Sequence, residues 1–274
     1  MSKLTKILGT ACVLGMALSA VPAAAATLTG FAGDVTTFYG QDAPEHGTNF
    51  HNWLLGGNVA GPLSDLMSLN FQIGASYDHN WVNSNGFHAS EEVWNFGGNA
   101  FWANNDGRVG INVNYETVTH AGHFTNYGAF GEWYFGNFTG MAKGGWVSAG
   151  GAEQGGHGNY LGAGLSAYFI PDLAITAGVD WAQNLTGMGC QICGRTGVNR
   201  TAFEVAAEFL MSEDYGVSGF AEYAHVSDSI HGISDNSNIW MVGLRWYTGG
   251  GSLMDRHRNG TLNPWLQGLG AAMR

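Results

Sequence analysis

Charge, cysteine and long apolar runs are all scarce in this 274-residue chain. Asp, Glu, Lys and Arg make up 11% of it, where a soluble globular protein carries about 25%. That scarcity would suit membrane helices. Yet past the N-terminus no apolar run approaches the roughly 20 residues a spanning helix needs, and the mean hydropathy is −0.05. Both observations exclude a helical bundle in lipid. Basic residues number 10 against 21 acidic ones, so no basic patch is on offer for nucleic acid, which is excluded as a partner. The three cysteines are Cys12, inside the N-terminal apolar stretch, and the pair Cys190 and Cys193. Two cysteines cannot build a four-thiolate metal site. A CxxC redox motif normally accompanies a βαβ pattern, and none is present. In an exported chain the pair is expected to form a local disulfide that staples a loop.

Export is indicated by residues 1–26. Lys3 and Lys6 form a positive start, Ile7 to Val21 an apolar stretch, and Ala23-Ala24-Ala25-Ala26 a small-residue cleavage region, the layout of a secretory signal. The stretch is short for a retained anchor, and Cys12 comes too early for a lipoprotein attachment site. Without the two signal lysines the net charge moves from −11 to −13.

What the chain does have is glycine, 44 residues, and aromatics, 13%, arranged with a period of two. Leu69, Phe71, Ile73, Ala75 and Tyr77 alternate with Ser68, Asn70, Gln72, Gly74 and Ser76. Val109, Ile111, Val113 and Tyr115 alternate with Gly110, Asn112, Asn114 and Glu116, and Phe203, Val205, Ala207 and Phe209 with Ala202, Glu204, Ala206 and Glu208. One face of each segment is apolar and the other small or polar, the pattern of a strand between two environments. No segment keeps a helical period. Twelve such strands are predicted, at 28–39, 50–60, 66–77, 92–103, 108–118, 123–135, 138–149, 158–169, 172–183, 200–211, 215–226 and 237–248, with ten to fourteen as the range. Every second link is a tight turn, such as Asn104-Asn105-Asp106-Gly107, Gly136-Asn137 and Ser212-Glu213-Asp214. The intervening links are mostly longer and polar. Trp and Tyr gather near strand ends, where rings with a polar edge settle at lipid headgroups. These features predict an all-β fold: a single antiparallel transmembrane β-barrel over residues 27–248, with a periplasmic C-terminal tail over 249–274.

At this stage the chain resembles the porin-like outer-membrane barrels of Gram-negative bacteria. Asn238-Ile239-Trp240-Met241-Val242-Gly243-Leu244-Arg245-Trp246-Tyr247 resembles the terminal strand such barrels present to the insertion machinery, although here further residues follow Tyr247. Ser252-Leu253-Met254-Asp255-Arg256-His257-Arg258 resembles short periplasmic tails of some alphaproteobacterial members. The resemblance implies residence in the outer membrane, with lipid, lipopolysaccharide, the barrel-insertion machinery and small solutes as partners.

Alternation assigns Asp34, Glu116, Glu132, Lys143, Asp180, Glu204, Glu208, Glu222 and Arg245 to the lumen, where an acidic excess would favour cations if the lumen is open. A plugged interior is the equal alternative, because a bore of this size is readily filled by side chains. Nine of the ten histidines, among them His120 and His123, fall at or near the loop side. With no carboxylate or Cys cluster to complete a ligand set, they predict no metal site, and no cofactor is expected. His88-Ala89-Ser90 and His225-Val226-Ser227 match the His-x-Ser spacing of outer-membrane lipid hydrolases, but so short a match in a His-rich chain assigns no catalytic residue. The expected function is a passive porin-like channel with a possible cation bias. A structural or adhesion barrel stands second and a lipid hydrolase third.

Overall fold

The computed structural model describes residues 31–45, 49–62, 71–84, 90–118, 122–150, 156–185, 198–230, 233–261 and 265. Twelve strands run in chain order: β1 (Ala32–Pro44), β2 (Phe50–Pro62), β3 (Phe71–Ser84), β4 (Ser90–Asn104), β5 (Gly107–Val118), β6 (Gly122–Phe135), β7 (Phe138–Gly150), β8 (Gly156–Ile170), β9 (Leu173–Leu185), β10 (Val198–Ser212), β11 (Val217–Ile230) and β12 (Ile233–Tyr247). Each pairs antiparallel with its sequence neighbour, and β1 pairs with β12 from Asp34↔Tyr247 to Pro44↔Ser237. The sheet therefore closes on itself and has no free edge.

Alternation decides which way each side chain points. Val35, Trp53, Ile73, Phe96, Ile111, Val113, Leu161, Leu165, Val179, Phe203 and Val242 are exposed on the convex surface. Their neighbours one residue along, such as Asp34, Asn52, Gln72, Asn112 and Glu204, are buried inside. Large apolar side chains on an exposed surface and charges in the interior invert the soluble pattern, and they match a wall facing hydrocarbon. Exposed Trp53, Trp81, Trp146 and Trp240 ring the barrel toward the longer loops, and Phe71, Phe135, Phe138, Phe169 and Trp246 toward the short turns. The apolar band lies between these two girdles. The fold is thus a closed twelve-stranded antiparallel transmembrane barrel.

The observed strands begin and end differently from the sequence expectation, mostly toward the loops. β1 runs to Pro44 rather than residue 39, β3 to Ser84 rather than 77, and β12 starts at Ile233 rather than 237. The reason is physical. Beyond the headgroup level both faces of a strand meet water, so hydrophobic alternation stops while backbone pairing continues, as in Asp228↔Asp235.

At the turn end, the link between β10 and β11 closes on Gly216, whose φ is +64°. A Cβ there would also press on the Tyr247 carbonyl oxygen, and the bond from the Tyr247 N–H to the Gly216 carbonyl at 2.8 Å holds the two backbones close. Gly216→Ala is expected to destabilise the barrel by about 1–3 kcal/mol, measured by urea unfolding in lipid vesicles.

Candidate functional site

The barrel interior is the candidate site. All of Asp34, Glu116, Glu132, Lys143, Asp180, Glu204, Glu208, Glu222 and Arg245 occupy inward-facing positions, alternating with the exposed apolar residues of the same strands. The wall has two textures. β3–β6 present carboxamides, including Gln72, Asn80, Asn112, Asn114 and Asn126, all buried. Across from them Phe38, Leu54, Ala202, Ala224, Val226, Ile239 and Met241 form an apolar cluster.

Toward the turn end the charges are paired. Arg108 donates from Nε to Glu132 Oε2 at 2.9 Å, with Nη2 2.7 Å from the same oxygen. Tyr134 donates to that oxygen at 2.9 Å. Lys143 on β7 reaches Asp180 on β9 at 3.1 Å. It crosses β8 at Gly162, which is registered with both; a Cβ there would strike Asp180 and the Lys143 stem. Arg245 on β12 donates to Glu208 on β10 at 2.8 Å and to Thr36 Oγ1 at 2.9 Å. Between these two strands Ser218 donates to Glu208 at 2.5 Å. Asp34 accepts from Asn58 Nδ2 at 3.0 Å.

The remaining partners come from the C-terminal segment. After Tyr247 the chain turns through Gly249 and Gly251, both with positive φ, into the short helix α1 (Leu253–Asn259). Ser252 and Asp255 cap that helix reciprocally. Leu253 is fully buried against Tyr168, Ala174 and Leu210, all on the inner wall. The segment 253–261 and Trp265 therefore lie within the barrel at its turn end, whereas the sequence pattern suggests only a tail beyond it. Arg108 donates to the carbonyl oxygens of His257 (2.6 Å), Gly260 (3.0 Å) and Thr261 (3.3 Å). Tyr134 is 3.1 Å from the Arg258 carbonyl and Lys143 2.6 Å from that of Trp265. Thr261 donates to Asp34. His257 sits between Tyr247 and Tyr168, at 2.8 and 3.1 Å, and 3.4 Å from Glu208. Arg258 donates to the Gly136 and Phe138 carbonyls, each at 2.8 Å.

Trp265 is buried beside Phe101, Phe130 and Met141. Its indole lies in a slot made by absent side chains: a Cβ on Gly178 would come within 2.8 Å of it and one on Gly162 within 3.2 Å. The Lys143 ammonium stands 4.0 Å from the ring centroid. Arg108, Thr261 and Trp265 are not singled out by sequence reasoning; it reads Tyr134, Tyr168 and Tyr247 as headgroup-level aromatics, but they turn inward onto Glu132, His257 and Glu208, and it places His257 only in the tail. For Arg108 the signal was present, since it continues the inward series Asn112, Asn114, Glu116.

Toward the loop end the inner face carries Asp42, Asp78, Glu116, Glu204 and Glu222, together with the pair Arg200–Asp228 at 2.7 Å. On the outside of the barrel, His51 stacks on Tyr39 at 5.9 Å, His79 on Trp94 at 3.6 Å and His123 on Tyr115 at 5.6 Å. These imidazoles belong to the aromatic girdle. His225 and Ser227 share an outward face, and the His225 ring is 3.0 Å from Asn238 Oδ1. Among the described residues no three His, Cys, Asp or Glu converge on one point. Cys190, Cys193, His88 and His120 fall outside the described residues.

No family model matches this chain, and no curated protein does. Among solved structures it is similar to the NanC porin, at 10% identity and a TM-score of 0.56, over 77% of this chain and 98% of that one. It is also similar to the translocator domain of the autotransporter NalP from Neisseria meningitidis, at 14% identity and a TM-score of 0.53, over 88% and 95%. At these identities the likeness is one of fold, a closed antiparallel β-barrel shared with outer-membrane proteins.

Proposed function

We propose that this protein resides in the outer membrane as a porin-like channel for small solutes, biased toward cations, with its own C-terminal segment seated in the turn-end half of the lumen. Lipid and lipopolysaccharide surround it, and β12 is the strand offered to the insertion machinery. One observation carries the reading: the inner face is polarised. Its turn-end acids are matched by Arg108, Lys143 and Arg245, while from mid-barrel to the loop end Asp42, Asp78, Glu116, Glu204 and Glu222 give an acidic excess. A low-dielectric wall concentrates that field and raises the local cation concentration.

The test is reversal potential across a planar bilayer under a salt gradient. The wild-type barrel is expected to favour cations. Glu204→Gln with Glu222→Gln is expected to lower the cation-to-anion permeability ratio about two- to threefold, since it removes two of the acids that make up the excess. Anion preference in the wild type, or no change in the double variant, refutes the cation bias, and no conductance from the folded barrel refutes the channel reading.

A structural barrel is the second reading, favoured by the buried ion pairs within the wall and by the hydrogen bonds from Arg108, Tyr134 and Lys143 that tie the segment to it. It predicts no conductance with or without the segment.

A further inference from the structure

We infer that the turn-end half of the lumen is a peptide-binding site, whose resident ligand is the chain's own residues 253–261 together with Trp265 and whose chemistry admits the same peptide supplied as a separate molecule. The recognition is directed at main chain. Three lumen side chains from different strands, Arg108 on β5, Tyr134 on β6 and Lys143 on β7, contact the carbonyl oxygens of His257, Arg258, Gly260, Thr261 and Trp265. A guanidinium already bonded to a buried carboxylate, and still directing donors at the carbonyls of His257, Gly260 and Thr261, is a fixed fork pre-organised by Glu132. Carbonyl oxygens in a helix's last turn and just beyond it have no partner within the helix, and His257 and Arg258 lie in that turn.

Two further elements make the site selective. The slot at Gly162, Gly164 and Gly178 accepts one flat ring and rejects a Cβ on its own wall. The segment's basic side chains are met at the turn-end rim by acceptors rather than by free acids: Arg256 donates to the Gly249 and Glu213 carbonyls, Arg258 to those of Gly136 and Phe138, and His257 lies 3.4 Å from Glu208. The ligand class is therefore a short basic peptide with an aromatic residue after its helical turn. Because its contacts are all non-covalent, the tethered copy and a free copy compete for one site. Tethering raises the local concentration of the former to about the millimolar range.

The site stands whether or not the barrel conducts, so its test is binding. The probe is a fluorescein-labelled synthetic peptide of residues 251–265, added to a barrel whose chain ends at Gly250, in detergent micelles, and read by anisotropy. Saturable binding to the shortened barrel is expected, weakened at least about tenfold on the full-length barrel, whose site is filled. Arg108→Met and Gly178→Val in the shortened barrel, and Trp265→Ala in the peptide, are each expected to weaken binding by a similar factor. Absence of saturable binding to a shortened barrel that migrates as a folded, heat-modifiable species overturns the inference, as does equal binding to both barrels or indifference to Arg108→Met. Should the shortened chain not fold, limited proteolysis of full-length Gly178→Val decides. Release of the C-terminal segment at a rate at least tenfold above wild type supports the site, and wild-type protection overturns it. If peptide binds and neither barrel conducts, the site holds and the channel reading fails.

Discussion

Arg245→Met is expected to be among the most damaging single substitutions in the barrel, lowering its unfolding free energy by about 3–5 kcal/mol. Arg245 and Glu208 are both about nine-tenths removed from solvent. The guanidinium bonds Glu208, Thr36 and the Tyr247 hydroxyl at 2.8, 2.9 and 3.1 Å and lies 5.1 Å from the Phe220 centroid. Methionine fills much of the volume but leaves a buried carboxylate facing only Ser218, Tyr247 and His257. Breaking such a pair costs far more than replacing it, because the penalty comes from the orphaned charge. Glu208→Gln added to Arg245→Met is therefore expected to recover at least half of the loss, since glutamine keeps an acceptor for Ser218 and Tyr247 and carries no charge. Urea unfolding in vesicles measures both. A double variant no more stable than the single one would show that the guanidinium's other contacts, and not the stranded carboxylate, carry the effect. The contrast within the same lumen is Arg200–Asp228, with side chains 22% and 27% exposed. There, solvent screening limits Asp228→Asn to less than about 1 kcal/mol.

The two long-reach pairs share a construction that explains how much of this site was legible. Neighbouring strands lie about 4.8 Å apart, so Lys143 and Asp180, or Arg245 and Glu208, must reach across an intervening strand. In one case the residue in between is Gly162, registered with both partners; in the other, Ser218 is registered with Arg245 and donates diagonally to Glu208, whose own partner is Phe220. Alternation alone put all four charges on the inner face, because that depends only on parity within a strand. It could not say that they meet, because meeting depends on register between strands, and register is set by turn lengths and by a bulge such as that between Leu210 and Ser212. The same limit hid Arg108↔Glu132, direct partners across β5 and β6. The acidic excess counted from sequence was thus an excess over the whole lumen, while the turn-end half is close to balanced.

The tail was opaque for a different reason. Residues 253–261 have no period of two and bury a narrow helical stripe in a cavity that exists only once twelve strands have closed. Nothing local marks Leu253 as fully buried or Trp265 as a lumen residue. What was available in the sequence was space: the inward glycines of β8 and β9 leave room that side chains elsewhere in the wall occupy. Strand number, turn positions and face assignment came from chemistry repeated along the chain. The occupant of the lumen came from chemistry that meets only in the closed fold.

Ile111→Arg tests the membrane reading itself, and its sign depends on what surrounds the barrel. Ile111 sits near the middle of β5, between Ala100 and Ala129 on the neighbouring strands, and is 63% exposed. On a soluble protein an arginine at so open a position is nearly neutral, within about 0.5 kcal/mol. Facing the centre of a bilayer it has no water within reach except by snorkelling, and the cost is about 2–4 kcal/mol. Depth supplies the control. Tyr215, 81% exposed in the β10–β11 turn, lies beyond the aromatic girdle, and Tyr215→Arg is expected to cost no more than about 1 kcal/mol. Ile111→Phe keeps the apolar surface and is expected to leave stability unchanged within the same margin. The ordering Ile111→Arg well below Tyr215→Arg, measured by unfolding from vesicles, follows only if the convex face meets hydrocarbon at Ile111 and water at Tyr215. Equal, small effects at both positions would place the whole outer surface in water and remove the physical basis for a membrane channel.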